Sequence, residues 1–298
     1  MIQRTQYIII SIIATIVFII AAWFLLSFFS QRFVASPADT IKQPEESQPV
    51  EEPAGGREPS WDGTPVNTSN NGISVRAPVP YADVASPVIV AGNAIAFENT
   101  VSVTVRDADG RVVGRGFATA DAPDAGQSGP YQTAVAFNAA PGTVLYVEVF
   151  EASAKDGTPI HMVRIPVRVA RNVSSFSIFL AKEGGPGCPR TFAVRRAVPS
   201  TVAIARVALE HVFAGPAREE WEQGYRSFVP QGAVIKRLEI GADGVATLDF
   251  SAYAVPNGAC PADTARVQME KTLLQFPTVT SIKLSVNGDA EAFLQEVR

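Results

Sequence analysis

The chain has 298 residues, 47% of them hydrophobic and 18% charged, with a formal net charge of −4. That balance excludes the basic surface a nucleic-acid binder needs. Two cysteines and two histidines leave little material for a metal or redox centre. Much of the negative charge sits in 37–58, where Asp39, Glu45, Glu46, Glu51, Glu52 and Glu58 outnumber Lys42 and Arg57, so the rest of the chain is close to neutral.

The first element in chain order is an uncharged apolar run from Tyr7 to Phe29. A helix needs about 20 such residues to cross a bilayer core, and the hydrophobic region of a cleaved signal peptide is shorter, roughly 7–15 residues. Val34-Ala35-Ser36 is followed by Pro37, a poor cleavage context, and no cysteine follows to carry a lipid. We read 1–36 as a cytoplasmic tail and an uncleaved transmembrane signal anchor, with peptidase cleavage as the alternative. Arg4 and Arg32 lie on opposite sides of the run, so charge barely decides its orientation. A short inner tail with the bulk exported is the common arrangement, which places a single-pass protein in the cell membrane with its domains on the extracytoplasmic side. Residues 37–71 are rich in Pro, Glu, Ser, Gly and Asn and predict a disordered acidic linker.

From Gly72 the pattern turns to short strands. Ile73–Arg76 and Val101–Arg106 alternate apolar and polar as half-buried strands do. Pro87–Ala91, Ala94–Phe97, Tyr131–Phe137, Val144–Phe150 and Ile160–Val169 are further candidates. Asp109-Gly110 is a strong hairpin dipeptide. About seven short strands in roughly 100 residues fit an all-β immunoglobulin-like sandwich over 72–172, without the Cys and Trp of antibody domains.

Residues 173–298 mix helices with strands. Ser174–Leu180 reads as a strand. Ser200 is placed as a helix N-cap before Val202, Ala205, Leu209 and Val212, with Gly215 at the end. Pro216 opens a short second helix with Glu219 and Glu220 in its first turn and Gly224 near its end. Val234–Ile240 and Val245–Phe250 form a hairpin through Ala242-Asp243-Gly244. Asp263 is placed as the cap of a helix ending before Pro277, and Val279–Val286 closes as a strand. The fold class is therefore multidomain: a transmembrane helix, an all-β sandwich and an α+β domain. In an exported chain Cys188 and Cys260 suggest one disulfide, closing a loop worth about 4 kcal/mol. Two unrelated buried thiols are the other reading.

The residues also resemble known families. Ser86-Pro87, Gly92, Ala96 to Val101, Asp107-Ala108-Asp109-Gly110, Gly129-Pro130-Tyr131 and Ser153 to Gly157 resemble the immunoglobulin-like domain of bacterial spore germination. Arg195 to Pro199, Gly215-Pro216, Glu219-Glu220, Gly224, Pro230-Gln231-Gly232 and Leu248 to Ser251 resemble the GerMN domain of sporulation and germination proteins. Gln268, Thr272-Leu273, Phe276-Pro277 and Val286-Asn287-Gly288 continue that likeness, in order and with sensible spacing. The resemblance implies a link to spore cortex, germination and assembly at the cell envelope, and brings no established catalytic residue with it. Many such proteins carry a lipid anchor; this chain departs from them in its apolar helix and its cysteine pair.

Candidate chemistry is sparse. His161, at the start of a strand, and His211, beside an apolar helix face, read as structural residues rather than metal ligands. There is no nucleophile elbow, and Gly184-Gly185-Pro186-Gly187 lacks the Lys and helix of a phosphate loop. Asp107 to Gly110 lacks the later ligands of a calcium loop. Asp249, flanked by Leu248 and Phe250, is a carboxylate whose pKa burial would raise. Arg195 and Arg196 are candidates to contact an anionic polymer, or else form a solvated strand end. Trp221 and Tyr225 are candidates to stack on a sugar ring, or else pack over the core. The expected function is a non-enzymatic, membrane-anchored binding and assembly protein of the bacterial cell envelope, needing no cofactor or metal. Its partners would be envelope proteins or peptidoglycan, with no nucleic acid, and self-association by strand addition or ring packing remains open. The alternative is a cell-wall hydrolase or esterase acting through Asp249.

Overall fold

A computed structural model describes residues 65–124, 126–182, 187–230, 232–252 and 259–290. The apolar run 7–29, most of the acidic linker and most of the Gly184–Gly187 stretch lie outside the described residues. Among the described residues no helix is long and apolar enough to cross a membrane.

Nine strands build the first domain: β1 Ser69–Asn70, β2 Ile73–Ala77, β3 Asp83–Val84, β4 Val88–Ala94, β5 Thr100–Asp107, β6 Val112–Thr119, β7 Gly129–Val135, β8 Val144–Ala152 and β9 Pro159–Val169. They form a four-stranded sheet, β1-β2-β4-β7, and a five-stranded sheet, β3-β9-β8-β5-β6. Inward residues of both sheets share one core, including Ile73, Val90, Val103, Val147, Ile165 and Tyr131. The alternation of β5 and β8 produces this directly, since residues two apart share a face.

Two details differ from the sequence expectation. The linker does not run to 71, because Ser69–Asn70 pairs with Ile73–Ser74. The two residues between, Asn71 (φ 43°) and Gly72 (φ 91°), take the left-handed conformations that a two-residue hairpin demands. The expected strand Ala94–Phe97 is absent; β4 ends at Ala94 and Phe97–Asn99 forms a 3-10 turn. Gly92 lets β2 pass close by: a Cβ there would lie 1.8 Å from the Ser74 carbonyl oxygen. That same carbonyl accepts a 2.9 Å hydrogen bond from the Tyr131 hydroxyl.

The second domain contains β10 Val173–Lys182, β11 Arg190–Pro199, α1 Ile204–Ala214, α2 Arg218–Glu222, β12 Tyr225–Arg226, β13 Val234–Ile240, β14 Val245–Ser251, α3 Ala259–Leu274 and β15 Ser281–Val286. Its sheets run β11-β10-β12 and β13-β14-β15, the last pair parallel. A separate core gathers Ile178, Leu180, Leu209, Val212, Leu248, Phe250, Met269 and Leu273. Both domains fall in one compact unit, Gly56–Arg298.

Helix starts were misplaced from sequence. Ser200 does not cap α1, because it directly follows β11 and Ala203 holds the N-cap position without a side-chain cap. The helix begins at Ile204, and Val202 lies in the preceding loop, fully exposed. Asp263 does not cap α3, which already starts at Ala259; its carboxylate pairs with Arg266 at 3.2 Å. Pro261 is tolerated there because a first-turn N–H has no partner to lose.

The strand β10 pairs with β11 along its whole length but with β12 only at Ala181 and Lys182. Side chains of α3, and that of Gln275 just beyond its end, serve Ser177 and Phe179 on that edge. Gln275 accepts from the Ser177 N–H (2.9 Å) and donates to the Ser177 carbonyl (2.6 Å). Thr272 accepts from the Phe179 N–H at 3.2 Å. Gln268, fully buried, donates to the carbonyls of Phe179 (3.1 Å) and Arg226 (3.0 Å) and accepts from the Phe228 N–H (2.8 Å). Replacing Gln268 with Leu keeps the volume but orphans three backbone groups. At about 1–3 kcal/mol for each unpaired buried group, we expect Gln268→Leu to cost at least about 3 kcal/mol, read as a lower urea midpoint with an unchanged slope.

Candidate binding surface

The sequence-predicted residues do not converge on one cleft. Arg195 and Arg196 are neighbours on β11, so they point to opposite faces. Arg195 is exposed. Arg196 is only 2% exposed, which overturns its reading as a solvated strand end. Its two terminal nitrogens reach the two oxygens of Glu220 at 2.7 and 2.6 Å, the planar fork that guanidinium and carboxylate form best. Glu220 also accepts from the Ala217 N–H at 2.8 Å. The carboxylate therefore clamps α2 to β11, a larger role than the expected service to the helix dipole.

This clamp sets the position of Trp221, the next residue. Trp221 is 47% exposed and does not pack over the core of its own domain. Its ring meets Phe117 of β6 edge-on, with centroids 6.4 Å apart and planes at 81°. Arg226 lies over the Trp221 ring at 4.6 Å and is held there by hydrogen bonds to the carbonyls of Trp221 and Tyr225. Tyr225 is half-buried, with the Lys182 ammonium 3.8 Å from its ring centre. Phe117 is itself 47% exposed. Two aromatic side chains from different domains thus share one surface, with the Arg226 guanidinium stacked on one of them.

Asp249 lies elsewhere, on β14. Burial pushes its pKa up, as expected, but its hydrogen bonds and neighbouring charges outweigh that. The Gly288 N–H and the Ser285 hydroxyl both donate to its Oδ1 (2.9 and 2.8 Å), and Lys236 and Arg237 add positive charge, so the carboxyl sits below its ordinary value. The residue clips β14 to β15 and the turn that follows. Cys188 and Cys260 are bonded, with Cα atoms 5.1 Å apart, joining the lead into β11 to the first turn of α3. Asp107 accepts from the Arg111 N–H and side chain across the β5–β6 turn, where Gly110 is left-handed. His161 lies 3.1 Å from Glu151.

His211 is buried against Phe176. Burial, and then the charge of Arg196, pull its pKa down to about 3. Its Nδ1 and the Arg196 Nε are buried without hydrogen-bond partners among the described residues.

Family models match both domains. Residues 72–158 match the immunoglobulin-like domain of bacterial spore germination. Residues 178–292 match the sporulation and spore germination domain. Together the two matches take in most of both folded domains. Among solved structures, the first GerMN domain of the sporulation protein GerM from Bacillus subtilis is similar at 25% identity and TM-score 0.32, over 39% of this chain and 84% of that one. The tandem GerMN domains of the same protein match at 20% identity and TM-score 0.29, over 40% of each chain. No curated protein matches the chain.

Sequence reasoning missed three contributors to this pair of domains. Phe117 reaches Trp221 only through the tertiary fold. Glu148, buried on β8, lies between Arg106 (2.8 Å) and Arg164 (3.5 Å). The charge-rich strand β11 itself was unread, although its alternation was available.

Two outcomes are expected. Glu220→Ala leaves Arg196 buried and unpaired, so the domain loses about 3–5 kcal/mol, and Arg196→Met in the same chain recovers most of it, measured by urea denaturation. The second concerns acid. An unfolded imidazole takes its proton near pH 6.5, whereas folded His211 waits until about 3. The unfolded state therefore gains the proton first, and stability falls between those values by about 1.4 kcal/mol per pH unit for this group. Asp249, depressed when folded, adds a loss below 3.8. In His211→Leu the fall of the urea midpoint between pH 6 and 4.5 should be largely lost, while the drop below pH 4 remains.

Proposed function

We propose that this chain is a non-enzymatic adaptor of the bacterial cell envelope, anchored through residues 7–29, with its folded pair outside the membrane and a protein as its partner. The observation that carries the reading is the Trp221–Phe117 contact with Arg226 stacked against it. Trp and Arg are the side chains that most often dominate protein interfaces. Here they are half-exposed yet already held in place, which lowers the ordering cost of binding. The disulfide favours an oxidising compartment. The carboxylates and histidine weighed for chemistry have structural duties: Asp249 joins two strands, Glu220 holds Arg196, and His211 is buried. The matches to two spore-germination family models support a role in sporulation or germination.

The test is affinity capture with full-length protein in detergent, beside co-sedimentation with purified peptidoglycan sacculi. The expected result is capture of one specific envelope protein that Trp221→Ala and Phe117→Ala each weaken at least tenfold. Sedimentation with sacculi, or capture indifferent to both substitutions, would overturn the reading. Release of soluble fragments from sacculi, lost in Asp249→Asn, would replace it with a hydrolase.

A further inference from the structure

Where α1 lies against β4 and β7 the two domains line a half-open cavity of about 200 Å³. Its apolar wall includes Ile89 of the first domain and Phe213 and Ile235 of the second. Its polar wall also comes from both sides. Gln132 on β7 donates to the Glu210 carbonyl at 3.0 Å, fixing α1 against the sandwich. Arg206 donates from Nε to the Glu210 carboxylate (3.1 Å) and from a terminal nitrogen to the Ile235 carbonyl (3.2 Å). Arg76, exposed on β2, also lines the cavity, and its charge acts on the Glu210 carboxyl. Two guanidinium groups, one from each domain, therefore face a single carboxylate, a local excess of one positive charge beside an apolar wall.

We propose that this cavity binds a small monocarboxylate with a short alkyl body. Its carboxylate would sit between Arg76 and Arg206, and its alkyl chain would lie on Ile89, Phe213 and Ile235. Four features select that class. One surplus positive charge suits a monoanion. Guanidinium groups favour planar carboxylates, which they can grip with two parallel hydrogen bonds. The space of about 200 Å³ is enough for the body of a short-chain acid. The apolar wall favours an alkyl body over a fully hydrated ion such as phosphate. Sites of this kind concentrate at domain interfaces. Because one arginine comes from each domain, an occupant would hold the pair together. This inference stands apart from the Trp221 surface and does not rest on it.

The experiment is isothermal titration of full-length protein in detergent with sodium butyrate, sodium acetate and inorganic phosphate at constant ionic strength. Butyrate is expected to bind saturably and at least fivefold more tightly than acetate or phosphate. Arg76→Ala, a change at an exposed side chain, should weaken butyrate at least tenfold. Glu210→Gln should tighten it severalfold, because the amide oxygen still accepts from Arg206 while the competing negative charge is gone. Opposite effects of the two variants separate ligand recognition from general damage to the domain junction. No saturable binding, phosphate binding as well as butyrate, or affinity unchanged by Arg76→Ala would each overturn the proposal.

Discussion

The second domain depends on how the exposed edge of β10 is satisfied. That strand is the spine of the domain, yet β12 covers only two of its residues. Buried backbone N–H and C=O groups need partners, and here a helix supplies them through side chains. Gln268 and Thr272 are four apart and so share one face of α3, and Gln275, three residues on and just past the helix end, continues the same line. They meet Phe179 and Ser177, alternate residues of β10 that present their backbone groups to the same side. The helix thus acts as a substitute strand, and the register between α3 and β10 is set by hydrogen bonds rather than by apolar packing alone. Gln268 also reaches Arg226 and Phe228, so the same amide places the segment carrying the stacked arginine of the candidate surface.

A second constraint joins the clamp of α2 to the contact between domains. Arg196 and Glu220 form a buried ion pair, which gives limited net stability but a strong preference for one geometry. That geometry puts Trp221 at the boundary with β6. Where α1 meets the sandwich, Gln132 reaches a main-chain carbonyl of the helix. The binding surface and the interdomain cavity are therefore both products of the way the second domain is docked, and neither exists on one domain alone.

Much of this architecture is legible in the residues. Alternating apolar strands, the Asp109-Gly110 turn, the Ala242-Asp243-Gly244 turn and the Gly215-Pro216 helix end are local features with local causes. Errors arose where a local signal competed with a distant partner. Ser200 has the chemistry of a cap, but it sits at the end of β11, three residues before the N-cap position at Ala203. Asp263 has it too, but the helix had already begun near the disulfide. The adjacent arginines read as one basic patch until strand alternation sends Arg196 inward to a carboxylate 24 residues away. Asn71-Gly72 was a readable hairpin signal lost in a linker of similar composition. Asp249 shows the limit of burial as a guide: its flanking apolar residues were plain, while the Ser285 and Gly288 donors that reverse its shift came from another strand and turn.

The bond between Cys188 and Cys260 has a further consequence for the life of the molecule. It spans 72 residues of chain, an interval that holds β11, both short helices, β12 and the β13–β14 hairpin. A protease that cuts once anywhere inside that interval produces two polypeptides but not two molecules. The nicked form stays covalently whole, migrates as one species until a reductant is added, and keeps Trp221 tethered to the rest of its domain. Damage in a protease-rich surrounding is thereby separated from loss.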